Sequence, residues 1–90
     1  MACDGRGRVV NVSLQGKGLT GQIPKAVAGL HSLTGLYLHF NSLSGTIPAE
    51  LAGLPELTEL YLNVNNLSGE IPRAFGNMSN LQGLFCFYWV

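Results

Sequence analysis

Ninety residues allow one small domain, too short for a doubly wound sheet with a substrate site beside it. Five basic residues balance five acidic ones, so no excess charge draws the chain toward nucleic acid or an anionic membrane. The 12 glycines, the recurrent leucines and the scarcity of charge point to many tight turns around an apolar core.

The N-terminal segment, Met1 to Arg6, lacks the apolar run of a secretory leader and carries one cysteine, Cys3. Val9 to Leu14 then reads as a β-strand. It runs into Gly16-Lys17-Gly18-Leu19-Thr20-Gly21, a G-x-G-x-x-G pattern after a strand, which is the form of a dinucleotide-binding turn. Such a turn needs a helix opening at the third glycine, with its N-terminus toward the pyrophosphate. Here Ile23 is turned away from helix by Pro24, and the next acidic residue is Glu50, too distant to hold a ribose. A dinucleotide site is therefore not expected.

A repeat explains the region better. Ile23-Pro24, Ile47-Pro48 and Ile71-Pro72 are 24 residues apart, as are Gly21, Gly45 and Gly69, and Leu19, Leu43 and Leu67. Val12, Leu36, Leu60 and Leu84 keep the register, as do Leu14, Leu38, Leu62 and Cys86. In Leu33 to Asn41 the leucines at 36 and 38 alternate with Gly35 and Tyr37, the period of a strand with one buried face. Asn41 and Asn65 follow, where a side-chain amide can pair backbone groups as the chain leaves the strand. L-S-G-x-I-P then turns the chain, with Gly and Pro setting a non-helical path. The segment beginning at Ala49 has room for one or two helical turns, α or 3₁₀. One such unit cannot bury its own leucines, whereas stacked units can. Of the three glycines in the G-x-G-x-x-G, only Gly21 recurs. Gly16 aligns with Phe40 and Val64, and Gly18 with Ser42 and Asn66, so those two glycines are expected to be incidental to the register.

LTGLYLHFNSLSGTIPAELAGLPE and LTELYLNVNNLSGEIPRAFGNMSN resemble the plant-type extracellular leucine-rich repeat. The resemblance implies an α/β solenoid of the leucine-rich-repeat horseshoe type. A short parallel sheet would line its concave face and short helical or 3₁₀ turns its convex face, with L-S-G-x-I-P adding a second short β-element. Residues 1–8 would be the remnant of an N-terminal cap, 9–80 three 24-residue repeats, and 81–90 a truncated fourth. By the same resemblance Cys3 is half of a cap disulfide whose partner would lie earlier in the cap. Cys86 is a poor substitute, because about three strand spacings, roughly 15 Å, separate the two. In the fourth unit Trp89 takes the asparagine place and no L-S-G-x-I-P follows, so the chain is expected to be a piece of a longer protein and poorly soluble by itself.

The columns that would face outward from the strands carry the candidate chemistry. Tyr37, Tyr61, His39, Phe40, Glu59 and Asn63 form the richest patch, aromatics with a few polar groups, suited to a peptide or protein. The alternative is that Tyr37 and Tyr61 merely stack and cover the sheet. Ser13, His39 and Glu59 share the face but fall in separate columns without an oxyanion loop, so catalysis is not expected. Neither metal nor cofactor is expected, since neither His39 nor the cysteines have ligand-spaced partners. Three N-x-S sequons occur, at Asn11, Asn66 and Asn77. Asn77, on the outer connection, and Asn66 are the candidate glycan sites, while Asn11 lies on the strand face. The resemblance implies a non-catalytic binding module from the ectodomain of a plant receptor-like Ser/Thr kinase. Its parent would be membrane-anchored and engage a protein or peptide ligand, or a co-receptor, outside the plasma membrane. The alternative class is a secreted inhibitor or defence protein of the polygalacturonase-inhibitor type.

Overall fold

The computed structural model describes residues 2–3, 5–70, 72–77 and 83–85, with side chains up to Phe75 apart from Ala2. The chain winds into stacked units whose strands form two sheets, parallel throughout apart from the N-terminal strand. The first sheet has the order β1-β2-β4-β6-β8, built from Ala2–Cys3, Val9–Ser13, Gly35–Tyr37, Glu59–Tyr61 and Gly83–Phe85. The second has the order β3-β5-β7, from Thr20–Gln22, Ser42–Gly45 and Asn66–Leu67. Three 3₁₀ turns, Lys25–Gly29, Ala49–Gly53 and Arg73–Asn77, return the chain along the far side.

The first sheet keeps the sequence period. Asn11 pairs with Gly35 and Gly35 with Glu59; Ser13 pairs with Tyr37 and Tyr37 with Tyr61. β8 continues the stack, Leu60 opposite Leu84 and Tyr61 opposite Phe85. The second sheet does not keep it. Thr20 pairs with Ser42 and Ser44 with Asn66, a step of 22 residues, so these strands slip by two residues at each unit. The sequence also gave no sign of β1, which runs antiparallel to β2 with Cys3 opposite Val9 and covers that edge of the first sheet.

Each connection has a local cause. Gly21, Gly45 and Gly69 all adopt φ near 80° (85°, 81° and 79°), a left-handed turn that a Cβ resists. Pro24 and Pro48 hold extended backbone at the start of the 3₁₀ turns. The carbonyls of Pro24, Pro48 and Pro72 accept the N–H of the third residue on, Val27, Leu51 and Phe75, closing each turn. Those three residues point inward, to meet leucines from the strands. The core gathers Val12, Leu33, Leu36, Leu38, Leu43, Ile47, Leu51, Leu54, Leu57, Leu60, Leu62, Leu67, Ile23 and Phe75. Removing a leucine methyl cluster from such a core costs about 2–5 kcal/mol.

Polar ladders tie the units together. Asn41 Oδ1 accepts the N–H of Lys17 and of Leu19, each at 3.0 Å. Its Nδ2 donates to the carbonyls of Leu14 and Leu38 at 3.0 Å and of His39 at 3.3 Å. Asn65 repeats the arrangement one unit on: Oδ1 accepts from Leu43 N at 2.9 Å, and Nδ2 donates to Leu38 O at 2.9 Å and Leu62 O at 3.2 Å. Two hydroxyl ladders run alongside. Thr34 and Thr58 donate to the carbonyls of Val10 and Thr34, and Ser44 and Ser68 to those of Gly21 and Gly45. Backbone groups inside the stack are thus paired by side chains that recur with the unit. Residues 81–82 and 86–90, with Cys86 and Trp89, lie outside the described residues.

Candidate functional site

Alternation along β4 and β6 buries Leu36, Leu38, Leu60 and Leu62 and turns Tyr37, His39, Glu59, Tyr61 and Asn63 outward, half-buried on the free face of the first sheet. The 24-residue pairing places equivalent residues side by side. The rings of Tyr37 and Tyr61 lie 5.1 Å apart at 53°. His39 sits 5.2 Å from the Tyr61 ring and 5.3 Å from Phe40. One aromatic line, Tyr37–Tyr61–His39–Phe40, thus crosses two units with tilted contacts of the kind aromatic pairs favour.

Both phenols converge on one carboxylate. Tyr37 Oη donates to Glu59 Oε1 at 3.1 Å and Tyr61 Oη to Glu59 Oε2 at 3.5 Å. Tyr37 can lean over because its neighbour on the same face is Gly35. A Cβ built there would stand 2.8 Å from the Tyr37 ring and hydroxyl. Desolvation first, then the hydrogen bond and the negative charge of Glu59, raise the Tyr37 phenol above its ordinary value of 10.0.

Among the described residues, two buried side-chain polar atoms lack partners. His39 Nδ1 and Asn63 Oδ1 are buried without a hydrogen bond, on equivalent positions of adjacent units. Each such atom carries a cost of about 1–3 kcal/mol until something pairs it.

The far rim of this face corrects one expectation. Gly16, read from sequence as incidental, occupies a column whose backbone is left-handed throughout: φ is 65° at Gly16, 58° at Phe40 and 57° at Val64. The glycine relieves a strain that the later units carry, and for a β-branched valine that conformation is a true outlier. Gly18 is also left-handed, φ 70°, in a turn specific to the first unit. Phe40 and Val64 are moreover the two exposed large hydrophobics among the described residues, at 58% and 37%. Strained backbone and exposed apolar side chains coincide at this rim.

The other sequence candidates fall elsewhere. Asn66 is exposed at the start of β7. Asn77 ends the third 3₁₀ turn, and its side chain lies outside the described residues. The Cys3 thiol is free and exposed on β1, at the edge of the first sheet. Ser13, His39 and Glu59 do not converge: Ser13 Oγ instead donates to Asn11 Oδ1 at 2.6 Å. Among the described residues, no group of three or more His, Cys, Asp or Glu is placed to hold a metal ion. No helix among them is long and apolar enough to cross a membrane.

Sequence reasoning missed the left-handed rim, the role of Gly35 and the hydroxyl ladders. Only the ladders had a visible signal, since Thr34 and Thr58, and Ser44 and Ser68, are each identical residues 24 apart.

Comparison with known proteins locates the architecture. A family model described as "Leucine rich repeat" matches residues 8–67. Among solved structures, the chain superposes on the crystal structure of PEPR1-AtPEP1 with a TM-score of 0.89 at 30% identity, over 98% of this chain and 12% of that one. It superposes on the plant peptide hormone receptor RGFR1 in complex with RGF2 with a TM-score of 0.79 at 40% identity, over 86% of this chain and 12% of that one. The chain thus spans about an eighth of the length of each. No curated protein sequence matches it significantly.

Proposed function

This chain belongs to the leucine rich repeat family, and from that premise we propose that it is a non-catalytic ligand-binding stretch of a plant cell-surface receptor ectodomain. Its ligand is a protein or peptide, engaged on the extracellular side. The parent is anchored in the membrane and signals through a Ser/Thr kinase domain outside this chain. Residues 1–8 end the cap, 9–80 form three repeats and 81–90 begin a fourth. Cys3 is the remaining half of a cap disulfide, and Asn66 and Asn77 carry glycans.

The likeness to PEPR1 and RGFR1 supports the receptor class, since the structure of RGFR1 is that of a plant peptide hormone receptor with RGF2 bound. One observation carries the placement of the site. On the free face of the first sheet, Tyr37, His39, Phe40, Glu59, Tyr61 and Asn63 combine an aromatic line with the unpaired atoms His39 Nδ1 and Asn63 Oδ1. Apolar anchors beside unmet polar groups are what a peptide rewards, because binding offers both cover and hydrogen bonds. Sheet covering alone does not call for an exposed phenylalanine on strained backbone.

A phage-displayed library of linear peptides, panned against the 90-residue chain once a cooperative urea melt shows it folded, tests this. NMR shift mapping with the recovered peptides should move the amides of β4, β6, His39 and Asn63. A map confined to the 3₁₀ turns, or no binder at all, counts against it.

A further inference from the structure

The outward columns of the first sheet hold one charge. Asn11, Gly35 and Glu59, then Ser13, Tyr37 and Tyr61, then Gln15, His39 and Asn63 include a single acid and neither lysine nor arginine. Resting on the receptor reading above, we propose that Glu59 is an arginine-recognition point, and that the ligand is a peptide carrying Arg with an apolar residue four positions away.

The carboxylate geometry supports this. An ionised carboxylate offers about four acceptor sites. Tyr37 fills one on Oε1 at 3.1 Å and Tyr61 Oη stands 3.5 Å from Oε2, which steadies the group and leaves at least one acceptor site on each oxygen. Two parallel acceptors on a held carboxylate match the planar fork of a guanidinium better than a lysine point charge. The two tyrosine rings, centroids 5.1 Å apart and tilted at 53°, lie beside the carboxylate and give the aliphatic stem of an arginine an apolar surface. Gly35 adds no Cβ there, which lets the Tyr37 ring lie over it and reach Glu59.

The apolar requirement comes from the opposite end of the same strands. Glu59 opens β6, and Asn63 lies four residues on, about 13 Å at a strand rise of roughly 3.3 Å per residue. Beside Asn63 stand the exposed, left-handed Phe40 and Val64. An extended peptide lying along the strands puts every second side chain on the same face, so residues four apart reach Glu59 and the apolar rim together.

The experiment starts from the panned peptides that map to this face. They should be enriched in Arg followed or preceded, four positions away, by an aromatic or aliphatic residue. Replacing that Arg by Gln in the synthetic peptide, or Glu59→Gln in the protein, should each weaken binding about tenfold, and the two changes together little more, as expected for one charge-assisted contact. Glu59→Gln keeps an oxygen for the tyrosines. If the variant nevertheless fails to fold, salt decides with the unaltered chain. Affinity should fall between about 0.01 and 1 M salt as the Debye length shrinks from about 30 to about 3 Å. Peptides that bind this face without Arg, or whose affinity ignores both Glu59→Gln and salt, overturn this proposal and leave the receptor reading standing. Failure to map to the face overturns both.

Discussion

The first and second units follow one path, but the second is better made. Val9, Leu14, Val27 and Leu30 are half-buried, whereas their equivalents Leu33, Leu38, Leu51 and Leu54 are buried. A cavity of about 250 Å³ opens among Val12, Leu14, Leu19, Ile23, Val27 and Leu36, on the first unit's side of the core. Where Asn41 makes five hydrogen bonds, three of them across the boundary, the first unit has Lys17, whose backbone N–H donates one of those three. Nearly the same leucine pattern thus gives different burial, because a unit is completed by what stacks on it. Stability here belongs to the boundaries between units more than to the units themselves.

That contrast can be tested at equivalent positions. The largest effect should come from the ladder. Asn41→Ala strands the Leu19 N–H and the Leu14 carbonyl, while Leu38 O keeps Asn65, and should lower unfolding free energy by about 3 kcal/mol, while Lys17→Ala should change it by less than about 0.5 kcal/mol. Urea melts of both variants check this, and equal losses would sink the idea that the boundary carries the stability. A smaller effect of opposite sign is expected at the rim. Phe40→Gly releases left-handed strain and should be stabilising or neutral within about 1 kcal/mol, whereas Gly16→Phe should cost about 1–2 kcal/mol. If both substitutions destabilise alike, Phe40 is held by packing and not by strain.

The smallest effect is ionic and separates Tyr37 from Ser13, its counterpart in the first unit. The raised Tyr37 value means the fold prefers the neutral phenol. Its contribution is present below the ordinary phenol value near 10.0 and is lost as pH rises through the higher folded value. An ultraviolet titration of the tyrosines should show one group ionising late, and Glu59→Gln should bring it earlier. No change in the variant would remove Glu59 as a cause.

Much of this was legible beforehand because a repeat writes its core several times. The leucine columns, the turn glycines and the places of Asn41 and Asn65 all declare themselves by recurrence at 24 residues. What recurrence cannot display is a backbone state shared by unlike residues. Gly16, Phe40 and Val64 look unrelated, and phenylalanine and valine there argue against the left-handed turn they adopt. Similarly, Gly35 matters only through the ring that leans over it, a fact of packing and not of pattern. For the site, the aromatic and acidic columns could be read from the strand period. The convergence of both phenols on Glu59, and the two orphaned polar atoms, depend on rotamers that no period encodes.

The unequal registers of the two sheets reach furthest. On one flank each unit sits squarely over the last, 24 residues on; on the other the partner comes after 22, so equivalent residues slide by two residues, about 6.6 Å, at every step. A staircase with one straight rail and one stepped rail cannot rise without turning. A longer run of such units would wind, and whatever lies along its treads would have to spiral with it.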